Sequence, residues 1–355
     1  MWSADFTDGV HLIDFEFHPV NNQEGNPPKP VCMVVREWPS GNTRRFWQDE
    51  LQQMTAAPFP TGDKALCVAY FASAEMDCFQ SLGWNLPVNL LDLYTEFRCI
   101  TNGLTLAHGN GLLGALLYFG LPTIGGEEKD AMRDLILTGG PWQLNEQIKI
   151  LDYCETDVVA MANLLNALQS DIDRPRALLR GRYMQSVSRM QMNGIPLDVD
   201  TLLKLQAQWG QIQSQLIAEI DKHYGVYEGL TFKSALWAQY LIAHNIPWPT
   251  LASGKLDLCD DTFRQMARVY PKVAPIRELR SALAEMRLAN LHVGDDGCNR
   301  CLLSPFRART GRNQPSTTKF IFGPSVWLRG LIRPREGWGL AYVDWSQQEF
   351  GIAAA

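Results

Sequence analysis

The feature of the sequence that most restricts the fold is a change of pattern near residue 170. Before this point, short apolar runs of strand length alternate with longer stretches of helical periodicity. We predict strands at residues 11–17, 30–36, 44–47 and 65–71, and helices at residues 74–82, 105–119, 127–137 and 143–168. Strands that come first and helices that follow, with one strand between helices, indicate an α/β domain with a mixed sheet.

After residue 175 the pattern is mainly helical. Helical periodicity covers residues 178–193, 199–223, 233–244, 260–269 and 275–291, and Gly and Pro residues separate these stretches. A basic, loop-like stretch follows, and residues 339–343 predict one further strand. The chain then ends in Ile-Ala-Ala-Ala without a helix cap or a partner strand, a pattern that predicts an incomplete domain.

The composition is that of an ordinary globular protein. Apolar residues make up 46% and charged residues 20% of the chain, which excludes a disordered or collagen-like protein. No run of about 18 apolar residues is present, so we expect no membrane span, and the acidic start does not resemble a secretory signal. Eight cysteines are too few for a disulfide scaffold. We therefore expect a cytoplasmic protein.

The net charge of −6 conceals a division along the chain. Residues 1–170 hold 9 Lys and Arg against 21 Asp and Glu, whereas residues 171–355 hold 23 against 17. Residues 300–335 hold eight basic side chains and no acidic one. An acidic half suits a metal-binding enzyme, and a basic half suits a polyanion such as nucleic acid. A solvated basic face is the alternative.

Three stretches carry carboxylates that suit a metal. Asp14 and Glu16 stand two apart on the first predicted strand, where they point to one face and repel each other unless a cation lies between them. Tyr153 and Asp157, four apart on a helix, share a face as well. Glu75 lies in the first turn of a helix that follows a strand. Each pattern alone also suits ordinary surface acids, and Glu75 suits the helix dipole.

The order of these stretches resembles that of the DEDD-type 3′–5′ exonucleases of the tyrosine subclass. The resemblance implies a ribonuclease H-like fold in which Asp14, Glu16 and Asp157 bind two Mg²⁺ or Mn²⁺ ions and Tyr153 positions the attacking water. Two such ions stabilise the entering and leaving oxygens of a phosphodiester.

The middle motif departs from the family, which has Asp where this chain has Glu75. We assign Glu75 to that role because it stands eight residues before Gly83, the spacing expected of the family's Asp, and keep Asp77 as the reserve.

Residues 340–349, Leu-Ala-Tyr-Val-Asp-Trp-Ser-Gln-Gln-Glu, predict a strand, an acid and the start of a helix. A capping box between Ser346 and Glu349 explains part of the pattern. The stretch also resembles motif A of the family A DNA polymerases, and the Arg-Thr-Gly-Arg sequence at 309–312 resembles the segment that approaches primer–template in that family. This resemblance implies that Asp344 binds metal ions, that Gln347 and Glu349 contact the incoming nucleotide, and that Arg309 and Arg312 contact DNA.

The whole chain thus resembles the N-terminal portion of a family A DNA polymerase of phage or prophage type. We expect a 3′–5′ exonuclease domain at residues 1–170, a helical linker and thumb-like region at 171–297, and the start of an incomplete polymerase palm at 298–355. The expected partners are single-stranded 3′ ends of DNA and primer–template. Deoxynucleoside triphosphates would be partners only if the missing palm and fingers were supplied, so we expect no primer extension by this chain alone.

Two alternatives remain open. In the first, the protein is a degenerate remnant that binds DNA without cleaving it. In the second, it is a stand-alone exonuclease that acts on RNA.

Overall fold

The computed structural model describes residues 2–123, 126–285, 291–323 and 326–354, which pack into two compact units. The first unit comprises Met1–Ile195 together with His292–Phe320, and the second comprises Pro196–Leu291 together with Ile321–Ala355. The domain boundaries expected at residues 170 and 297 come from motifs rather than from packing, and they stay predictions.

The first unit is built around a five-stranded mixed sheet. Its strands are β1 (Val10–Pro19), β2 (Pro28–Trp38), β3 (Thr43–Trp47), β4 (Leu66–Ala69) and β5 (Leu90–Asp92). The spatial order is β3-β2-β1-β4-β5. β1, β2 and β3 pair in antiparallel fashion, whereas β4 is parallel to β1 and β5 is parallel to β4. The four predicted strands and the mixed sheet are confirmed, and β5 is an additional strand.

Eight helices of the described chain lie in the first unit. They are α1 (Trp2–Asp5), α2 (Gln48–Gln53), α3 (Ser73–Ser81), α4 (Leu93–Ile100), α5 (Leu112–Tyr118), α6 (Gly126–Leu137), α7 (Leu144–Leu168) and α8 (Arg174–Asn193). The helices predicted at 74–82, 127–137, 143–168 and 178–193 are confirmed, and the one predicted at 105–119 is shorter. Across the described residues, no helix is both long enough and apolar enough to span a membrane.

The two faces of the sheet are covered by different helices, and this decides where the acids of β1 point. Val10 and Leu12 pack in one core cluster with side chains of α7, whereas Ile13 and Phe15 pack in another with side chains of α3. Side chains alternate along a strand. Asp14 and Glu16 therefore continue the face of Val10 and Leu12, towards α7.

The second unit is mainly helical, as predicted. Its helices are α9 (Val199–Asp221), α10 (Ser234–Ala243), α11 (Asp260–Val269), α12 (Ala274–Glu285) and α13 (Gln348–Ala354). Its core contains the buried side chains of Trp237, Leu241, Phe263 and Ile276. The remaining strands of the chain have two residues each: β6 (Ile195–Pro196), β7 (Tyr227–Glu228), β8 (Thr231–Phe232) and β9 (Cys298–Asn299). The predicted helix 275–291 extends past Glu285 into residues 286–290, which lie outside the described part of the chain.

The strand predicted at residues 339–343 is not formed, which corrects the expected first strand of a palm. Residues 338–345 have neither helical nor strand structure, and Tyr342 and Val343 are 92% and 83% exposed. An apolar segment becomes a strand only when a neighbouring strand takes its backbone hydrogen bonds. Among the described residues, no strand pairs with this segment.

Candidate metal centre

Three carboxylates converge on the α7 face of the sheet. One oxygen each of Asp14, Glu16 and Asp157 lies within 4.8 Å of the others. Asp14 and Glu16 are neighbours because they stand two apart on β1, and Asp157 reaches them from α7, which packs across this strand. The convergence predicted from the sequence for these three side chains is therefore present.

The long helix α7 is held in place at its start and at the site itself. At its N-terminus, the backbone N–H of Gln143 donates to the Glu146 carboxylate at 2.7 Å, which forms part of a capping box. Opposite β1, the Cys154 thiol donates to the backbone carbonyl of Asp14 at 3.3 Å. This contact fixes the position along β1 that Tyr153 and Asp157 face. Tyr153 and Asp157 stand one turn apart on α7 and share its face.

Glu75 joins the group from the other side of β1. β4 pairs with β1 only over the three residues Val10 to Leu12, so the edge of β1 beyond Leu12 is open to the helix that follows β4. Glu75 lies there, in the first turn of α3. Glu75 is only 4% exposed. Burial, followed by the charges of Asp14 and Glu16, holds the pKa of Glu75 well above its usual range.

The acids of the site oppose one another's charge. Burial, followed by the charge of Asp157, raises the pKa of Asp14 to about 8. Burial and Asp14 raise the pKa of Glu16 well above its usual range, and burial raises the pKa of Asp157. Carboxylates that repel one another in this way are stabilised in their charged form when a cation lies between them.

The donor set fits a divalent cation. Asp14 Oδ2 and Glu75 Oε2 are buried, and neither has a hydrogen-bond partner among the residues that the structure describes. A buried carboxylate oxygen without a donor costs folding free energy unless something else satisfies it. Carboxylate oxygens are the ligands that Mg²⁺ and Mn²⁺ prefer, so a hard divalent cation is the partner that this arrangement suits.

A lysine that the sequence analysis does not single out also belongs to the site. Lys129 of α6 places Nζ at 3.4 Å from Asp157 Oδ2 and at 6.0 Å from the ring centre of Tyr153. Its charge lowers the pKa values of Asp14, Glu16 and Asp157, against the effect of burial. The sequence around it is an ordinary charged helix and gives no signal of this role.

Asp77, the reserve for Glu75, faces α8 and not the three carboxylates. It accepts hydrogen bonds from Ser188 Oγ at 2.6 Å and from Gln191 Nε2 at 3.1 Å. Burial raises its pKa to about 7. These partners give Asp77 a role in joining α3 to α8.

The other predicted site residues lie apart from this group. Arg309 and Arg312 are exposed on a turn in which the N–H of Gly311 donates to the carbonyl of Ala308 at 2.9 Å. Asp344, Gln347 and Glu349 belong to the second unit. Asp344 and Gln347 precede the exposed helix α13, and Glu349 lies in it. Asp344 belongs to no cluster of three potential ligands in the described part of the chain.

Comparisons with known proteins give one informative result. No protein-family model and no curated protein matches the sequence. Among solved structures, the chain is similar to the POL domain of Pol1 from M. smegmatis, in complex with DNA primer-template and dNTP, with a TM-score of 0.65 and 14% sequence identity. The match covers 95% of this chain and 57% of that one. At this identity the likeness concerns the fold alone: the chain has a fold like that of a family A DNA polymerase.

Proposed function

We propose that the first unit is a 3′–5′ exonuclease of ribonuclease H-like fold that removes nucleotides from the 3′ ends of DNA. The observation that carries the proposal is the convergence of Asp14, Glu16 and Asp157 within 4.8 Å, with the buried Glu75 beside them. The five-stranded mixed sheet supports the fold assignment, since it places the acids of β1 against the late helix α7.

Each side chain of the site has a part that its surroundings support. Asp14, Glu16, Glu75 and Asp157 would hold Mg²⁺ or Mn²⁺, and a pair of such ions supplies positive charge to both the entering and the leaving oxygen of an in-line displacement. Burial raises the pKa of the Tyr153 phenol, so it stays protonated at neutral pH. Tyr153 therefore has a hydroxyl with which to orient the attacking water beside Asp157.

DNA is the substrate that the surroundings favour. The similar solved structure is described as a complex with DNA primer-template and dNTP, and residues 300–335 of this chain carry eight basic side chains and no acidic one. Such a stretch favours a polyanion. We infer that the chain is related in function to DNA polymerases and that its 3′-end cleavage corresponds to proofreading.

We do not expect this chain to extend primers by itself. In the described residues, Asp344 belongs to no group of three potential metal ligands, and its segment is exposed. Deoxynucleoside triphosphates would be bound only with further palm and finger elements. Primer extension by the purified chain would contradict this expectation.

The nuclease proposal is tested with 5′-labelled single-stranded DNA and RNA of the same sequence in Mg²⁺ or Mn²⁺. We expect stepwise shortening of the DNA from its 3′ end, loss of this activity in EDTA, and a decrease of at least about a hundredfold in Asp14→Ala, since the two-ion geometry depends on this ligand. Asp77→Asn is the matched control. It alters a buried acid of α3 that faces away from the site, and it should keep cleavage.

The results also separate the two alternatives. DNA binding without any cleavage in wild type would indicate a degenerate DNA-binding remnant in which Glu75 spoils the metal site. Faster shortening of RNA than of DNA would indicate an exonuclease that acts on RNA.

A further inference from the structure

Lys129 is held at the site by a single contact. Its side chain is 44% exposed, and the Asp157 carboxylate is its one hydrogen-bond acceptor among the described residues. An ammonium group has three donors, so two of them face away from Asp157. Water and salt weaken an ion pair whose lysine is exposed. The contact is therefore easily exchanged for another anion.

The lysine also lies on the wall of a cavity. A cavity of about 180 Å³ is lined by Lys129, Asp157 and the apolar side chains of Leu112, Leu116 and Val159, among others. Pockets that hold whole drug-sized ligands measure about 300–1,000 Å³, so this one has room for a fragment such as one sugar or base. Among the lining residues that the structure describes, Lys129 and Asp157 carry charge.

The charge balance of the site also favours a phosphate as a partner of Lys129. Two divalent cations would balance the formal charge of the four carboxylates Asp14, Glu16, Glu75 and Asp157 and would themselves face the scissile phosphodiester. Lys129 would then supply the net positive charge. Its Nζ is already within 3.4 Å of a metal ligand, and a lysine stem is long and flexible enough to turn from a carboxylate to a nearby phosphate.

We propose that Lys129 is a positioning residue of the nuclease site that binds a phosphate of the DNA strand being degraded. In the metal-free protein its ammonium pairs with Asp157, and in the loaded site it turns to a phosphate oxygen beside the cavity. The inference rests on the proposed nuclease function. A purely structural ion pair with Asp157 is the competing role.

The first test measures binding of a labelled single-stranded oligonucleotide in Ca²⁺, over a range of KCl concentrations, for wild type, Lys129→Met and Lys129→Arg. Each phosphate contact with a single strand contributes about 0.7 to the slope of log affinity against log salt. We expect Lys129→Met to lower the slope by about 0.7 and the affinity at low salt by about tenfold, the lower end for a charged hydrogen bond. Lys129→Arg should keep most of the wild-type slope and most of the wild-type affinity.

Lys149→Met is the matched control, because Lys149 is an exposed lysine of α7 whose removal changes the net charge equally. It should leave slope and affinity as in wild type. If Lys129→Met and Lys149→Met both give the same slope as wild type, Lys129 makes no phosphate contact and the inference is overturned. If the two variants lower the slope equally, the effect is one of overall charge, and the inference is overturned as well.

The second test separates this inference from the nuclease proposal. In steady-state cleavage with Mg²⁺, Lys129→Met should raise KM about tenfold and change kcat less. By calorimetry without DNA, its affinity for Mn²⁺ should rise by about two- to fivefold, since a competitor for Asp157 is removed. Cleavage by wild type with an unchanged KM in Lys129→Met overturns this inference alone. No cleavage by wild type overturns the nuclease proposal and with it the role of Lys129.

Discussion

Asp14 lies where burial and a second carboxylate both oppose its negative charge. Burial and the nearby Asp157 raise its pKa to about 8, while the Cys154 thiol and Lys129 act in the opposite direction. Burial, followed by the charge of Asp14, likewise raises the pKa of Glu16. At the scale of the residue, the candidate metal site is thus a cluster of acids whose protonated forms are favoured by burial and by their mutual repulsion.

This arrangement predicts how the stability of the metal-free protein depends on pH. The unfolded chain releases the proton of Asp14 near pH 4, whereas the folded protein keeps it until about pH 8. The folded state therefore binds more protons in this range, so the free energy of unfolding should fall as pH rises from about 5 to 8.5. We expect a loss on the order of 1–3 kcal/mol, measured by urea unfolding in EDTA.

Asp14→Asn provides the control, because an amide has no proton to lose. In EDTA at pH 8.5 this variant should be more stable than wild type, and its free energy of unfolding should vary less with pH. Addition of Mg²⁺ should stabilise wild type at pH 8.5 and have a smaller effect on the variant. Equal pH profiles for the two proteins would show that Asp14 ionises normally.

At the scale of the element, helix α8 packs closely on β5. Gly181 lies in the middle of α8, and a Cβ built on it would stand 1.8 Å from the carbonyl oxygen of Leu90. A backbone oxygen cannot turn aside as a side chain can. The glycine therefore permits the helix to lie directly against the last strand of the sheet.

Gly181→Ala should separate α8 from β5 and lower the free energy of unfolding by about 3 kcal/mol, the upper part of the usual range for overpacking. Urea unfolding of the whole chain, fitted for the free energy of unfolding, measures this change. Gly210→Ala is the matched control, since Gly210 is an exposed glycine within the helix α9 that has no atom within 4 Å of an added Cβ. In Gly210→Ala the free energy of unfolding should rise by about 0.5–1 kcal/mol. A neutral Gly181→Ala would contradict the close packing.

The sequence predicts the elements whose pattern is long or whose runs are strongly apolar. β1 and α7 are identified in this way, and the alternation along β1 also places Asp14 and Glu16 on one face. β5 has three residues and α4 has eight, which is too short for a periodic signal. Residues 339–343 have the apolar character of a strand, but pairing depends on a partner that the segment itself cannot encode. Lys129 reaches the site through the packing of α6, which no local pattern reports.

At the scale of the whole molecule, the division of charge along the sequence places most of the basic side chains outside the acidic stretch 1–170, where the proposed DNA substrate would find further contacts. The turn that carries Arg309 and Arg312 is held firmly enough to serve as one. Arg98 Nε donates to the carbonyl of Phe306 at 3.0 Å, and Asn102 Nδ2 donates to the carbonyl of Arg309 at 3.0 Å. Helix α4 and the residue pair that follows it therefore fix the backbone of the turn while both arginine side chains stay exposed.

If these arginines contact duplex DNA, the double variant Arg309→Ala/Arg312→Ala should lower the slope of log affinity against log salt by about 1.8 on a primer–template duplex, since each phosphate contact with B-form DNA contributes about 0.9. Fluorescence anisotropy over a KCl series measures the slope. Cleavage of single-stranded 3′ ends should change little, because the carboxylates and Lys129 are untouched. Lys255→Ala/Arg268→Ala removes two exposed positive charges elsewhere and should leave the slope unchanged. Equal slopes for the two double variants would mean that the turn attracts DNA only through its charge and makes no defined contact.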